Sequence, residues 1–182
     1  MITAVLTLPY SKQSEQFVLR ALSGDDWMAF KAIRLEALEL VSNVFAASYE
    51  QERALSEAAW RERATPRPDH SWFGVFHNGQ LVGITQALTW PGDPSGRTAL
   101  FRSSYVIPEF RGEGIAGLLC EVRQEWARKN PAFTSAMLFH REGHWIAKVV
   151  LAFGAVYSHT EMMTFADGTS GPALWYRKQL QP

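Results

Sequence analysis

The clearest pattern in the chain begins at Gly114. Beyond it Ile115, Leu118, Leu119, Val122 and Trp126 recur at helical spacing and form one apolar stripe. The spacing predicts a helix from Gly114 to Asn130, stopped by Pro131. Upstream, Phe30, Ile33, Ala37 and Val41 repeat at the same period, and Ser23 with Asp26 three residues later predicts a capped start before them. A further helix is predicted around SEAAWRERA, with Ser56 as N-cap and Glu57 in the first turn. The run HWIAKVVLAF reads as a short, mostly buried helix.

Strands are predicted between these helices. FVLRAL precedes the first helix, and two β-rich runs flank HNGQ, where Asn78-Gly79 marks a tight hairpin. TALFRSSYVI, FTSAMLF, AVYSHTEMMTF and PALWYRKQL follow, the last two joined by the loop ADGTSG. The first residues, 1–15, read as a tail or a short strand. The order β-α-α-β-β-β-α-β-α-β-β predicts a single α/β (α+β) domain over 1–182 with a mostly antiparallel sheet.

Composition narrows the partners. Of 182 residues 47% are hydrophobic, enough for a packed domain. Lys plus Arg equals Asp plus Glu at 18 each, and no basic run forms a tail, which argues against nucleic acid and membrane surfaces. The single cysteine, Cys120, excludes an internal disulfide and a cysteine zinc cluster and fits a cytoplasmic protein. No apolar run nears the roughly 18 residues of a membrane-spanning helix.

Residues 106–119, VIPEFRGEGIAGLL, carry the chemistry. Gly112, Gly114 and Gly117 spell G-x-G-x-x-G, the dinucleotide fingerprint. That fingerprint needs its first glycine at a strand end, yet PEFR intervenes here, and a late hairpin cannot supply more parallel strands. Arg141, after the next predicted strand, is the one feature favouring an NADP reading. A phosphate site fits better. Arg111 brings charge, the small residues Gly112, Gly114 and Ala116 admit a bulky anion, and a helix N-terminus points at it. Gly117 then reads as a close-packing position inside the helix.

This stretch resembles the acetyl-CoA signature of the GCN5-related N-acetyltransferase (GNAT) superfamily: a strand ending V-x-P, then Arg/Gln-x-x-Gly-x-Gly/Ala, then a helix. Arg111, Gly114 and Ala116 match its defining positions, and Gly112 and Ile115 are typical fillers. FVLRALSGDDWMAFKAIRLEALE resembles the family's first strand and helix, and FHREGHWIAKVVLAFGA its second conserved segment, so the likeness covers most of residues 16–180. It implies a mixed, mostly antiparallel central sheet flanked by helices, with a strand pair splayed at the acyl-CoA site. Ser104, Tyr105 and Val106 would lie beside the pantetheine and thioester, with the Val106 N–H on the acetyl carbonyl. Arg111, Gly112, Glu113, Gly114, Ile115 and Ala116 would hold the pyrophosphate. The implied reaction is direct transfer from acetyl-CoA, without a metal, to a primary amine of a small molecule or a protein. A homodimer is compatible, since dimers are common in the family.

Two family positions differ. His144 stands where an Asn is usual, and the helix position of the usual proton-donating Tyr falls on Val150 or Leu151. The acid is therefore open among Tyr157, Tyr105, His144 and water, and the base among Glu36, Tyr49 and His140. His140 and His144 straddle a predicted turn and lack a third ligand nearby, which speaks against a metal. Cys120 reads as structural, and Trp90 as a candidate wall of the acceptor pocket. Two alternatives stay open: an acyl-CoA-binding sensor without turnover, and an NAD(P)-dependent oxidoreductase.

Overall fold

The computed structural model describes residues 3–7, 16–144 and 146–180. Its centre is an eight-stranded sheet of order β1-β2-β3-β4-β5-β6-β8-β7. The strands are β1 Thr3–Thr7, β2 Gln16–Ala21, β3 His70–His77, β4 Gln80–Thr89, β5 Thr98–Val106, β6 Ser135–Arg141, β7 Val156–Thr164 and β8 Ser170–Gln179. Every neighbouring pair is antiparallel except β5 and β6, which run parallel. One parallel pair leaves no room for the repeated βαβ units of a dinucleotide fold. The β3–β4 turn forms at Asn78-Gly79, both at positive φ (48° and 81°), the backbone that a two-residue hairpin turn needs.

The helices are α1 Trp27–Leu40, α2 Tyr49–Arg53, α3 Glu57–Ala64, α4 Ile115–Arg128 and α5 Ala147–Ala152. The Ser23–Asp26 capping box is present, but it opens a 3₁₀ turn over Gly24–Asp26 that runs into α1. Asp26 also takes two 2.7 Å bonds from Arg20, which hold its carboxyl below the usual range. Val41 lies just past α1, not on its stripe, while Phe30, Ile33 and Ala37 are buried as expected. Gly114 is the N-cap of α4, not its first turn. The short helix α2 has no apolar period and was not expected. Residues 3–7 form an edge strand, and the rest of 1–15 lies outside the described residues. Among the described residues no helix is long and apolar enough to cross a membrane.

Strand alternation sorts the side chains onto two faces. Trp72 pairs with Gln86 and Gln86 with Arg102, so the three share one face, the face of α1. Ala87 and Phe101 share the other, on which α4 packs: a Cβ at Gly83 would lie 3.0 Å from Ile115.

Candidate active site

Strands β5 and β6 pair only over Thr98–Phe101 with Ser135–Leu138. Beyond Phe101 they separate, and the register of β4 against β5 shifts between Ile84 and Gln86. The shift is a bulge, with Ser103 at φ 58°, a left-handed backbone that a non-glycine residue adopts at a cost. A cleft of about 980 Å³ lies at this gap and is lined by residues from both faces of the sheet.

The sequence-predicted cradle forms one mouth of the cleft. Arg111, Gly112, Gly114, Ile115 and Ala116 line it. Gly112 (φ 89°) and Gly114 (φ 84°) turn the chain into α4 in a left-handed backbone, and open space lies where a Cβ on either would stand. The N–H groups of Gly112, Glu113, Gly114, Ile115 and Ala116 have no backbone acceptor among the described residues, and the first intramolecular bond of the turn is Gly117 N–H to Gly114 O. Unpaired N–H groups at the start of a 14-residue helix suit an anion. Gly117 is not close-packed: it is exposed, with no heavy atom within 4 Å of a Cβ built on it.

Gly114→Ala would strain that turn without a clash. It is expected to cost about 1–2 kcal/mol, or roughly 2–8 °C in melting temperature, read by thermal unfolding.

Val106 sits at the edge of the gap. Ile107 N–H donates to the Val82 carbonyl at 3.1 Å, and bonded and non-bonded residues alternate along an antiparallel pair. Val106, opposite Gly83, therefore turns its N–H and C=O away from β4, toward the gap. Arg111 Nε donates to that carbonyl at 3.0 Å, and the guanidinium lies 5.6 Å from the Tyr105 ring. Arg111 thus ties the loop to the strand end as well as carrying charge.

On the α4 face, Ser104 Oγ is held by Thr85 Oγ1 at 2.8 Å and accepts from Arg123 Nη1 at 3.1 Å. Arg123 is 5% exposed, stacks on Phe101 and donates to Cys120 Sγ at 3.1 Å, with its Nε unpaired. Burial pushes its pKa down. Cys120 therefore lines the cleft instead of only filling the core. Of the two positions at which the family resemblance expects a tyrosine, Val150 lines the cleft at 5% exposure, while Leu151 is 57% exposed and does not.

On the α1 face, Tyr105 donates its hydroxyl to Glu36 Oε1 at 2.7 Å. Burial, then this bond, raise the Tyr105 pKa to about 12. Sequence reasoning named both residues but not their contact. Other features escaped it. Arg34 of α1 makes a two-pronged 3.0 Å ion pair with Glu52 of α2, Arg63 of α3 approaches Glu52 at 3.3 Å, and Arg102 Nε donates to Gln86 at 2.8 Å. All five line the cleft. One signal was available: Arg34 falls between Phe30 and Leu38 on the buried stripe of α1.

The remaining candidates are dispersed. His140 is buried on the cleft wall, with Nδ1 2.8 Å from its neighbour's carbonyl and Nε2 3.2 Å from Tyr176 Oη. His144 also lines the cleft, and burial, then His140, hold its pKa below the usual imidazole value. Tyr49 packs against the core outside the cleft. Tyr157 is 53% exposed on β7 and bonds Thr160. Trp90 stacks near Trp175 beside a separate small cavity and does not line the cleft. Arg141 is taken up by Asn43, Thr169 and Asp167.

The splayed strands, glycine turn and cleft define an acyltransferase-type fold. Residues 34–144, more than half of the chain, match the acetyltransferase (GNAT) family, and the chain belongs to that family. No curated protein sequence matches it significantly. Solved structures share its fold at low identity. YncA from Salmonella typhimurium, solved with its cofactor acetyl-CoA, has TM-score 0.73 at 16% identity over 91% of this chain and 95% of its own. An N-acetyltransferase from Staphylococcus aureus Mu50 has TM-score 0.70 at 19% identity over 91% and 99%. An acetyltransferase from Salmonella typhimurium that modifies the N-terminal serine of ribosomal protein L7/L12 has TM-score 0.68 at 12% identity over 96% and 99%.

Proposed function

We propose that the chain is a single-domain N-acetyltransferase that moves an acetyl group from acetyl-CoA to a primary amine by direct attack in a ternary complex. The observation that carries this reading is the Val106 N–H turned toward a gap lined both by the anion cradle and by residues of the opposite face of the sheet. Acetyl-CoA supplies an activated acyl carbon. The unpaired N–H groups of residues 112–116 hold its pyrophosphate, and Ser104 and Val106 border its pantetheine arm. The amine enters on the α1 face, beside Tyr105. Its nitrogen forms the C–N bond as the C–S bond breaks, and Val106 N–H stabilises charge on the carbonyl oxygen. The amine's proton passes to the Tyr105 oxygen while the Tyr105 proton passes to Glu36, and the departing sulfur is protonated from water, since Val150 offers no donor.

Acetyl-CoA at a hundred times its Kd is expected to stabilise the fold by about 2.7 kcal/mol, roughly 5–10 °C in Tm. NADPH is expected to give no shift, and Arg111→Glu to abolish the acetyl-CoA shift. A shift with NADPH alone would sink the assignment. Stabilisation by acetyl-CoA without transfer to any amine would favour the acyl-CoA sensor, the reading that Val150 supports.

A further inference from the structure

The cleft wall is unbalanced in charge. Glu52 is its sole acidic residue among the described residues, against Arg34, Arg63, Arg102, Arg111 and Arg123. Arg111 and Arg123 flank the cradle and the α4 face. The other three arginines lie on the α1 face with Glu52, away from the pyrophosphate cradle, and leave that end with an excess of positive charge. Two of them hold unused hydrogen-bonding capacity. Arg34 is 3% exposed, lies 5.0 Å from the Phe45 ring and 5.6 Å from the Trp72 ring, and leaves Nη1 buried without a partner. Arg102 is open to the cleft, spends only Nε, on Gln86, and makes no ion pair among the described residues. Desolvation by the surrounding cleft wall, with the charges of Arg34 and Arg63, holds the Arg102 guanidinium below its usual value, although the side chain keeps access to solvent through the cleft. A buried donor without an acceptor and crowded like charges both cost stability unless an anion relieves them. Around them the wall is apolar: Phe45, Trp72, Leu100, Phe139 and Trp175.

Resting on the acetyltransferase reading, we infer that the acceptor is a small amine bearing a carboxylate and an apolar side chain, an amino-acid-like molecule whose carboxylate is held by Arg34 and Arg102. Guanidinium groups bind carboxylates through paired N–H donors, and the aromatic wall takes the side chain. With the carboxylate anchored, the adjacent amine is presented toward Tyr105, two strand positions beyond Ser103 on β5. The amine nitrogen gains the acyl bond, the thioester loses its C–S bond, one proton leaves nitrogen and one reaches sulfur, and the carboxylate is unchanged.

The test compares L-phenylalanine and L-methionine with their amides and their decarboxylated amines, using acetyl-CoA as donor. The free acids are expected to show kcat/KM at least about 100-fold above the partners that lack the carboxylate, the discrimination of a site built to pair a charged group. An amide's amine is the weaker base, so amine basicity cannot produce that preference at neutral pH. Arg102→Met is expected to collapse the acid-to-amide ratio toward one while the thermal shift with acetyl-CoA persists. A ratio near one in the wild type, a ratio unchanged in Arg102→Met, or transfer to the amides or decarboxylated amines but to no free acid overturns the inference and leaves the acetyltransferase reading standing. If acetyl-CoA gives no thermal shift, the acetyltransferase reading itself has failed and the inference falls with it.

Discussion

Tyr105→Phe is expected to lower kcat by about 100-fold or more, the usual contribution of a positioned acid or base, with little change in KM for acetyl-CoA. Glu36→Gln is expected to act in the same direction, because the tyrosine oxygen can take the amine's proton only if its own proton has an acceptor at 2.7 Å. The relay needs no tyrosinate. With the Tyr105 pKa raised to about 12 by burial and the Glu36 bond, the hydroxyl stays protonated through the working range. The rate should therefore fall toward acid, as the acceptor amine takes up a proton. It should show no loss from Tyr105 ionisation at about pH 10, where an unperturbed tyrosine titrates. Stopped-flow or steady-state thiol release against pH measures both. A kcat unchanged in Tyr105→Phe would move proton removal to water and strip the pair of its role.

The contrast between that pair and the cradle explains what the sequence revealed. The cradle is local: Arg111 to Ala116 are contiguous, so charge, glycines and helix start can be read together. The hairpin at Asn78-Gly79 and the stripe of α4 are legible for the same reason. Tyr105 and Glu36 are 69 residues apart and meet only because α1 packs over β4, the sheet neighbour of β5. The arginine cluster draws on α1, α2, α3, β4 and β5, and no spacing along the chain announces it. The β5 bulge depends on Ser103, a residue type with no strong preference for positive φ, and was visible only through the family resemblance. Gly117 shows the opposite error, where a glycine in motif register received a packing role that the open space around it removes. The choice between Val150 and Leu151 needed the orientation of a helix of six residues, too short to show a period.

Glu52→Ala is expected to destabilise the protein by about 3–5 kcal/mol, because it leaves the Arg34 guanidinium buried without its counter-ion. For a chain of this size that is a loss of roughly 6–20 °C in melting temperature, read by calorimetry. Removing Arg63 instead should cost under about 1 kcal/mol, since its side chain is 42% exposed and its contact with Glu52 is screened by water. The informative variant is the double replacement Arg34→Met with Glu52→Leu. It removes both buried charges, so it should recover most of the stability that Glu52→Ala loses, as apolar substitutes for buried ion pairs often do. If it does, the pair is not there to hold α1 against α2. Its role then lies in the cleft: Glu52 fixes two nitrogens of Arg34, a cleft-lining residue, and leaves the third, Nη1, without a partner. The same double variant should accordingly bind acetyl-CoA but lose its preference for a carboxylated amine. Recovery of stability together with full retention of that preference would show that Arg34 serves neither purpose, and would leave Arg102 as the one anchor.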